Sequence, residues 1–262
     1  MPSPGRLASV VLRGRRVPFR TRLDLLRAEG RRRLRPRETY TVQYGPGTVH
    51  LSHADYAIDW ESLKFVVADH AYATEYNNAV VLDLGAHKGY YGAYALAGGS
   101  RAIVSFEPET ANLALLARAA ASYRTRGVEW HVRAAAVGAE QGEAELHVMD
   151  GSWAHALHPP AKWAEYEVGT QRVPVEAMAD VLAEGVALAD GGRLVVKLNV
   201  EGEECPIVLG TPAEAWRGVS EVFVEYHPWA GCTAEELTER LLAAGMHEAE
   251  SRISPVLRFV AS

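Results

Sequence analysis

The sequence is poor in several things, and each shortage narrows what the chain can be. Its 262 residues include 2 cysteines, Cys205 and Cys232, with neither the paired spacing of metal ligands nor the density of a disulfide scaffold. That usage reads as a reducing cytoplasm. No apolar run approaches the roughly 20 residues needed to cross a bilayer, so no membrane span is expected. The start, Met1 to Arg20, is basic but lacks the continuous apolar stretch of a secretory signal. An arginine-rich transit peptide is the alternative that this leaves. There is no internal repeat and no low-complexity tract. What is present, with 48% hydrophobic residues, suffices for one large α/β domain or a domain with a small extension.

Charge is unevenly spread. Residues 1–38 hold 12 arginines against Asp24, Glu29 and Glu38, a balance of +9, which leaves −15 on the rest of a chain whose net charge is −6. Such an arm can bind nucleic acid or anionic lipid. Apart from Phe19 no aromatic residue interleaves it, which argues against RNA. The plainer reading is a solvated or lid-forming helix that meets the acidic body in cis.

Along the chain, Thr21–Leu34 reads as a short helix with Thr21 as its N-cap and Leu23, Leu26 and Leu34 on one side. Thr39–Tyr44 and Thr48–Ser52 flank Gly45-Pro46-Gly47 as a hairpin with a three-residue loop. A helical pattern surrounds Trp60–His70. Val80–Leu84, Ala102–Phe106, Val128–Arg133, Leu194–Leu198 and Val222–Tyr226 read as strands. Helical runs at Tyr90–Leu96 and Ala111–Ala121, and another between the last two strands, alternate with them. Apolar strands alternating with helices mean a mostly parallel, doubly wound α/β sheet of the Rossmann-like class, which binds ligands at its C-terminal edge. Residues 143–180 interrupt this rhythm with two strand-like segments around an aromatic stretch. The organisation expected is an extension over 1–78 and a catalytic domain over 79–262 carrying that β insertion.

The densest signal is Val80-Val-Leu-Asp83-Leu-Gly85-Ala86-His87-Lys88-Gly89-Tyr90. A strand ends in a carboxylate and enters a glycine turn that lets the backbone approach a ligand, ahead of a helix N-terminus. The second strand closes in Phe106-Glu107-Pro108, where a carboxylate can accept hydrogen bonds from both ribose hydroxyls of an adenosine cofactor. The G-x-G-x-x-G of a dinucleotide site fails, because His87 and Tyr90 stand where glycines are needed. Asp83 suits the cationic amino-acid end of S-adenosyl-L-methionine (SAM) better than a pyrophosphate.

These motifs resemble the FkbM family of SAM-dependent methyltransferases. Asp83-Leu-Gly-Ala-His-Lys-Gly-Tyr-Tyr-Gly92 is similar to that family's D-V-G-A-N-x-G-Y-F-S, and Phe106-Glu-Pro108 to its F-E-P. Lys197-Leu-Asn-Val-Glu-Gly-Glu-Glu204 is similar to its K-I-D-V-E-G-A-E, and Glu225-Tyr-His227 to its E-x-H. The resemblance spans about residues 39–250. It departs at His87, Gly92 and Asn199, which replace Asn, Ser and Asp. Asn199 can orient a hydroxyl but cannot accept its proton or lend charge to a metal, so no metal is expected.

The cofactor site is accordingly assigned to Asp83, Gly85, Ala86, His87, Gly89, Glu107, Pro108, Ala136 and Asn199. A hydroxyl acceptor benefits from a base, and Glu201 or His227, both expected at strand ends on the cofactor edge, is assigned that part, with Asn199 orienting. If His227 is the base, its unperturbed value near 6.5 would switch activity off below about pH 6. Lys197 is expected to pack by its stem. Trp153, His155 and Trp163 of the insertion are assigned to the substrate wall. His155 and His158 lack a carboxylate companion for zinc. The resemblance implies O-methylation of a hydroxyl on a small molecule, a sugar or specialised metabolite. An RNA methyltransferase and a degenerate SAM-binding protein are the alternatives, and the sequence leaves a homodimer open.

Overall fold

Val80-Val-Leu-Asp-Leu84 offers little polar surface to solvent. In the computed structural model, which describes residues 19–261, it is a strand buried along its whole length. Ala102–Phe106 and Leu194–Leu198 are buried likewise. A strand buried on both sides needs cover on both faces, which helices supply. Counting from β1 (Thr39–Tyr44) and β2 (Gly47–Ser52), these three are β3, β4 and β9, and Glu129–Arg133 and Glu221–Glu225 are β5 and β10. With β11 (Met246–Ala249) and β12 (Val256–Ala261) they form a seven-stranded sheet of order β11-β12-β10-β9-β3-β4-β5. β5, β4, β3, β9 and β10 are parallel, and β12 is antiparallel to both β10 and β11. The direction of strand addition reverses between β3 and β9, and such a switch point opens a crevice at the C-terminal edge. The doubly wound, mostly parallel sheet expected from the alternation is what the chain forms. The sequence reading contained no counterpart of β11 and β12.

The helices are α1 (Phe19–Leu34), α2 (Tyr56–Leu63, running on as a π-helical turn over Lys64–Ala68), α3 (Tyr90–Ala97) and α4 (Thr110–Arg124). They continue with α5 (Met178–Ala189), α6 (Glu204–Gly210) and α7 (Ala234–Ala243). One apolar cluster joins Val81 and Ile103 to α3, α4 and the N-terminal extension; another joins Val80, Leu82 and Leu84 to α5, α6 and α7. The insertion folds as β7 (Gly142–Met149) antiparallel to β8 (Glu167–Ala177), with β6 (Ala136–Gly138) parallel to β8. None of the helices described is long and apolar enough to cross a membrane.

Four local expectations are corrected. Thr21 lies inside α1 and is buried, not at its N-cap; the buried face runs through Thr21, Leu25, Ala28 and Glu29. The leucines expected on one side do not share one environment: Leu23 is half-buried, while Leu26 and Leu34 are 45% and 83% exposed. The hairpin closes on two residues, because Tyr44 pairs with Gly47. Gly45 at φ +54° supplies the positive φ that the first position of a two-residue hairpin turn requires. The cysteines are joined: Cys205 and Cys232 form a disulfide across a Cα separation of 5.8 Å. They are 27 residues apart in sequence, but one follows β9 and the other follows its neighbour β10. Cysteine usage therefore gives no argument for a reducing compartment.

Arg6, Arg13, Arg15 and Arg16 of the basic arm lie outside the described residues. Within α1, Arg27 pairs with Asp24, and Arg32 and Arg33 both pair with Glu29. Part of the arm's charge is thus met in cis on the same helix.

Candidate active site

The ends of β3, β4, β9 and β10 meet α2 and the insertion around a cavity of about 600 Å³. Its floor begins at the turn after β3. Gly85 has φ +72°, and a Cβ there would stand 1.8 Å from the Asn199 carbonyl oxygen, so no other residue fits where the β3 and β9 ends cross. The glycine serves this crossing of two backbones. Gly85 and Ala86 N–H groups both donate to Phe106 O, the His87 N–H donates to Glu107 (2.7 Å), and the Gly89 N–H donates to Ala86 O. These donors are spent inside the protein. Gly85, Ala86 and His87 line the cavity; Gly89 does not, and packs against Leu116 and Trp130 at the start of α3.

Glu107 lines the cavity with Pro108 and accepts the N–H groups of His87 and of Glu109 (2.9 Å). Burial pushes its carboxyl up to about 8, outweighing those two hydrogen bonds. Asp83 is placed differently from its expected role. It is fully buried beneath the cavity, 3.1 Å from the Lys197 ammonium, and does not line the space above. Burial raises its pKa and Lys197 opposes the rise. Lys197 does more than pack by its stem: Nζ also donates to the carbonyls of Leu84 (3.1 Å) and Gly85 (2.7 Å), and so pins the turn.

At the end of β9, Asn199 lines the cavity and its Oδ1 is buried with no hydrogen-bond partner. Glu201, held at φ +50°, has Oε2 equally buried; it makes no hydrogen bond but faces His227 Nε2 at 3.5 Å as an ion pair. Burial pushes the Glu201 carboxyl up to about 8, against the pull of His227. His227 stands after β10 with Nδ1 2.9 Å from Glu204. Burial would lower its pKa, but Glu204, Glu201 and Glu225 together raise it to about 9. The imidazole is therefore cationic at neutral pH, and an off-switch below about pH 6 does not follow from this geometry. Glu225 also lines the cavity and accepts the Tyr72 hydroxyl.

In the insertion, Trp153 (53% exposed) and His155 line the cavity, as does Ala136 of β6. Trp163 does not; it stacks edge-on against Trp229, which in turn stacks against His227. His155 Nε2 lies 3.9 Å from Glu109 and His158 Nδ1 2.5 Å from Glu203, so each histidine has a carboxylate, but a different one. Among the described residues no group of three or more His, Cys, Asp or Glu is arranged to hold a metal.

Several participants escaped the sequence reading. Lys88, almost wholly buried, pairs with Asp55 (3.0 Å) and Asp59 (2.7 Å) and donates to Ser152, so one ammonium ties the extension, the β3 turn and the insertion together. Tyr72 comes from a segment to which the sequence pattern assigned no role. Glu204 was visible as the last residue of the KLNVEGEE stretch, but only the fold brings it to His227.

A model of the FkbM methyltransferase domain matches residues 83–246, more than half of the chain. The chain belongs to the FkbM methyltransferase family. The matched region runs from β3 to the beginning of β11 and excludes the extension. No curated protein matches the sequence. Among solved structures, an FkbM methyltransferase from Methylobacillus flagellatus KT is 11% identical with a TM-score of 0.48; the alignment covers 97% of this chain and 58% of that one. The magnesium protoporphyrin IX methyltransferase of Synechocystis PCC 6803, solved with SAM, is 10% identical at a TM-score of 0.38 and coverages of 99% and 92%. Aeropyrum pernix fibrillarin, also with SAM, is 10% identical at 0.41, with 76% and 74% covered.

The residues of this FkbM domain fit the cofactor that the resemblance implies. Asn199 Oδ1 is a buried acceptor without a donor, and Glu107 offers a carboxylate on the same cavity. Apolar walls from Phe65, Phe106, Leu146 and Leu157 supply the remainder.

Proposed function

We propose that the chain is a SAM-dependent O-methyltransferase acting on a hydroxyl of a small molecule, a sugar or specialised metabolite. The observation that supports this best is the partnerless buried acceptor Asn199 Oδ1, beside the Glu201 carboxyl, on a cavity of about 600 Å³. A buried oxygen without a donor costs roughly 1–3 kcal/mol, and a bound hydroxyl or ammonium would relieve it. SAM, when bound, supplies an electrophilic methyl group on its sulfonium. The protein's part is to hold the acceptor in line, keep water out and receive the hydroxyl proton. Glu107 and Pro108 serve the adenosine end, Asn199 orients, and Glu201 takes the proton beside the charged His227. Trp153 and His155 wall the acceptor. The test is calorimetric titration with SAM, with NAD as the control, followed by turnover against a panel of hydroxylated acceptors. Tight NAD binding, or no SAM binding, would overturn the reading.

A further inference from the structure

Glu204 opens α6 and is fully buried, and three donors converge on it. Oε1 accepts the Val200 N–H (3.0 Å) and faces His227 Nδ1 at 2.9 Å, while Oε2 accepts the Gly202 N–H (3.0 Å). These contacts span α6, the turn after β9 and the loop after β10. The turn is the one that bears Asn199 and Glu201, and it runs through positive φ at Glu201 (+50°) and Gly202 (+104°). Backbone of that kind persists only where its surroundings hold it. A carboxylate can only accept, so His227 Nδ1 must donate to it and keeps its proton in either charge state. Nε2 is left facing Glu201 across 3.5 Å on the cavity wall. The other groups acting on the ring are Glu225 of β10, which is bonded to the Tyr72 hydroxyl, and the indole of Trp229.

We propose that Glu204 is the positioning residue of the transfer site: it locks His227 with the proton on Nδ1 and Nε2 aimed at Glu201, and it shapes the turn that presents Glu201 and Asn199 to the cavity. The consequence for catalysis rests on the methyl-transfer reading; the geometry does not. In the transfer, the acceptor's O–H bond breaks and a new O–H bond forms on the Glu201 carboxylate, while His227 stays charged beside it.

The test is nitrogen NMR of histidine-labelled protein, with His227→Asn used to assign the resonances. In the native protein His227 should titrate near 9 and its neutral form should carry the proton on Nδ1. Glu204→Gln should lower that titration by about one pH unit or more. If that variant fails to fold, the native tautomer and titration decide by themselves. A native His227 titrating near its ordinary value of about 6.5, a neutral form protonated on Nε2, or a folded Glu204→Gln with an unchanged titration each overturn the positioning role. A native protein that does not bind SAM overturns the methyl-transfer reading instead, whatever the spectra show.

Discussion

Asp83 and Lys197 stand opposite each other in the register of β3 and β9, and the lysine ammonium reaches Asp83 Oδ1 at 3.1 Å in a fully buried setting. Removing one member of such a pair strands the other's charge. Asp83→Ala should therefore cost roughly 3–5 kcal/mol of stability, read by urea unfolding. Replacing both residues by apolar ones should recover part of that loss. A stable Asp83→Ala protein whose only defect is SAM affinity would return Asp83 to the cofactor site.

Glu107 should make SAM binding pH-dependent. Its folded value of about 8 means the carboxyl is mostly protonated below that pH. Ribose hydroxyls donate to the ionised form, so binding releases a proton. Affinity should therefore rise by up to about tenfold per pH unit from about pH 6 to about pH 8. Glu107→Ala should weaken SAM by roughly 1.5–3 kcal/mol and flatten this dependence. Titration in buffers of different ionisation enthalpy would detect the proton; a pH-independent affinity would count against the assignment.

Turnover should rise through about pH 8 as Glu201 ionises and fall above about pH 9 as His227 loses its charge. Glu201→Gln should lower kcat by roughly 10²–10⁴-fold with SAM affinity nearly unchanged. His227→Ala removes the cation beside Glu201, so the rising limb should move to higher pH. If both variants keep most of their kcat, proximity suffices and the base leaves the mechanism.

The Cys205–Cys232 bond closes a loop across a sequence separation of 27. Constraint on the unfolded chain over that length is worth about 3–4 kcal/mol on the entropic account. A reductant, or Cys205→Ser with Cys232→Ser, should lower the melting temperature accordingly. Identical unfolding of the oxidised and reduced protein would show that the bond adds nothing.

Much of the fold could be read from residue order alone, because apolar patterning is local. Val80–Leu84, Ala102–Phe106 and Leu194–Leu198 run between the bounds their apolar runs suggest. A continuously apolar run between turn residues leaves little choice but a covered central strand. The Gly85 turn and Glu107 were legible for the same reason. The part each residue plays was not, because that depends on partners far along the chain. Asp83 looks like a ligand-facing acid until β9 brings Lys197 beside it, 114 residues on. Cys205 and Cys232 look free until the adjacency of β9 and β10 joins them. Glu204 is one more acid in an acidic stretch until His227 arrives from the next strand. Local sequence sets which segments are strands and helices; the order in which the strands pack decides which charges neutralise one another and which are left facing the cavity.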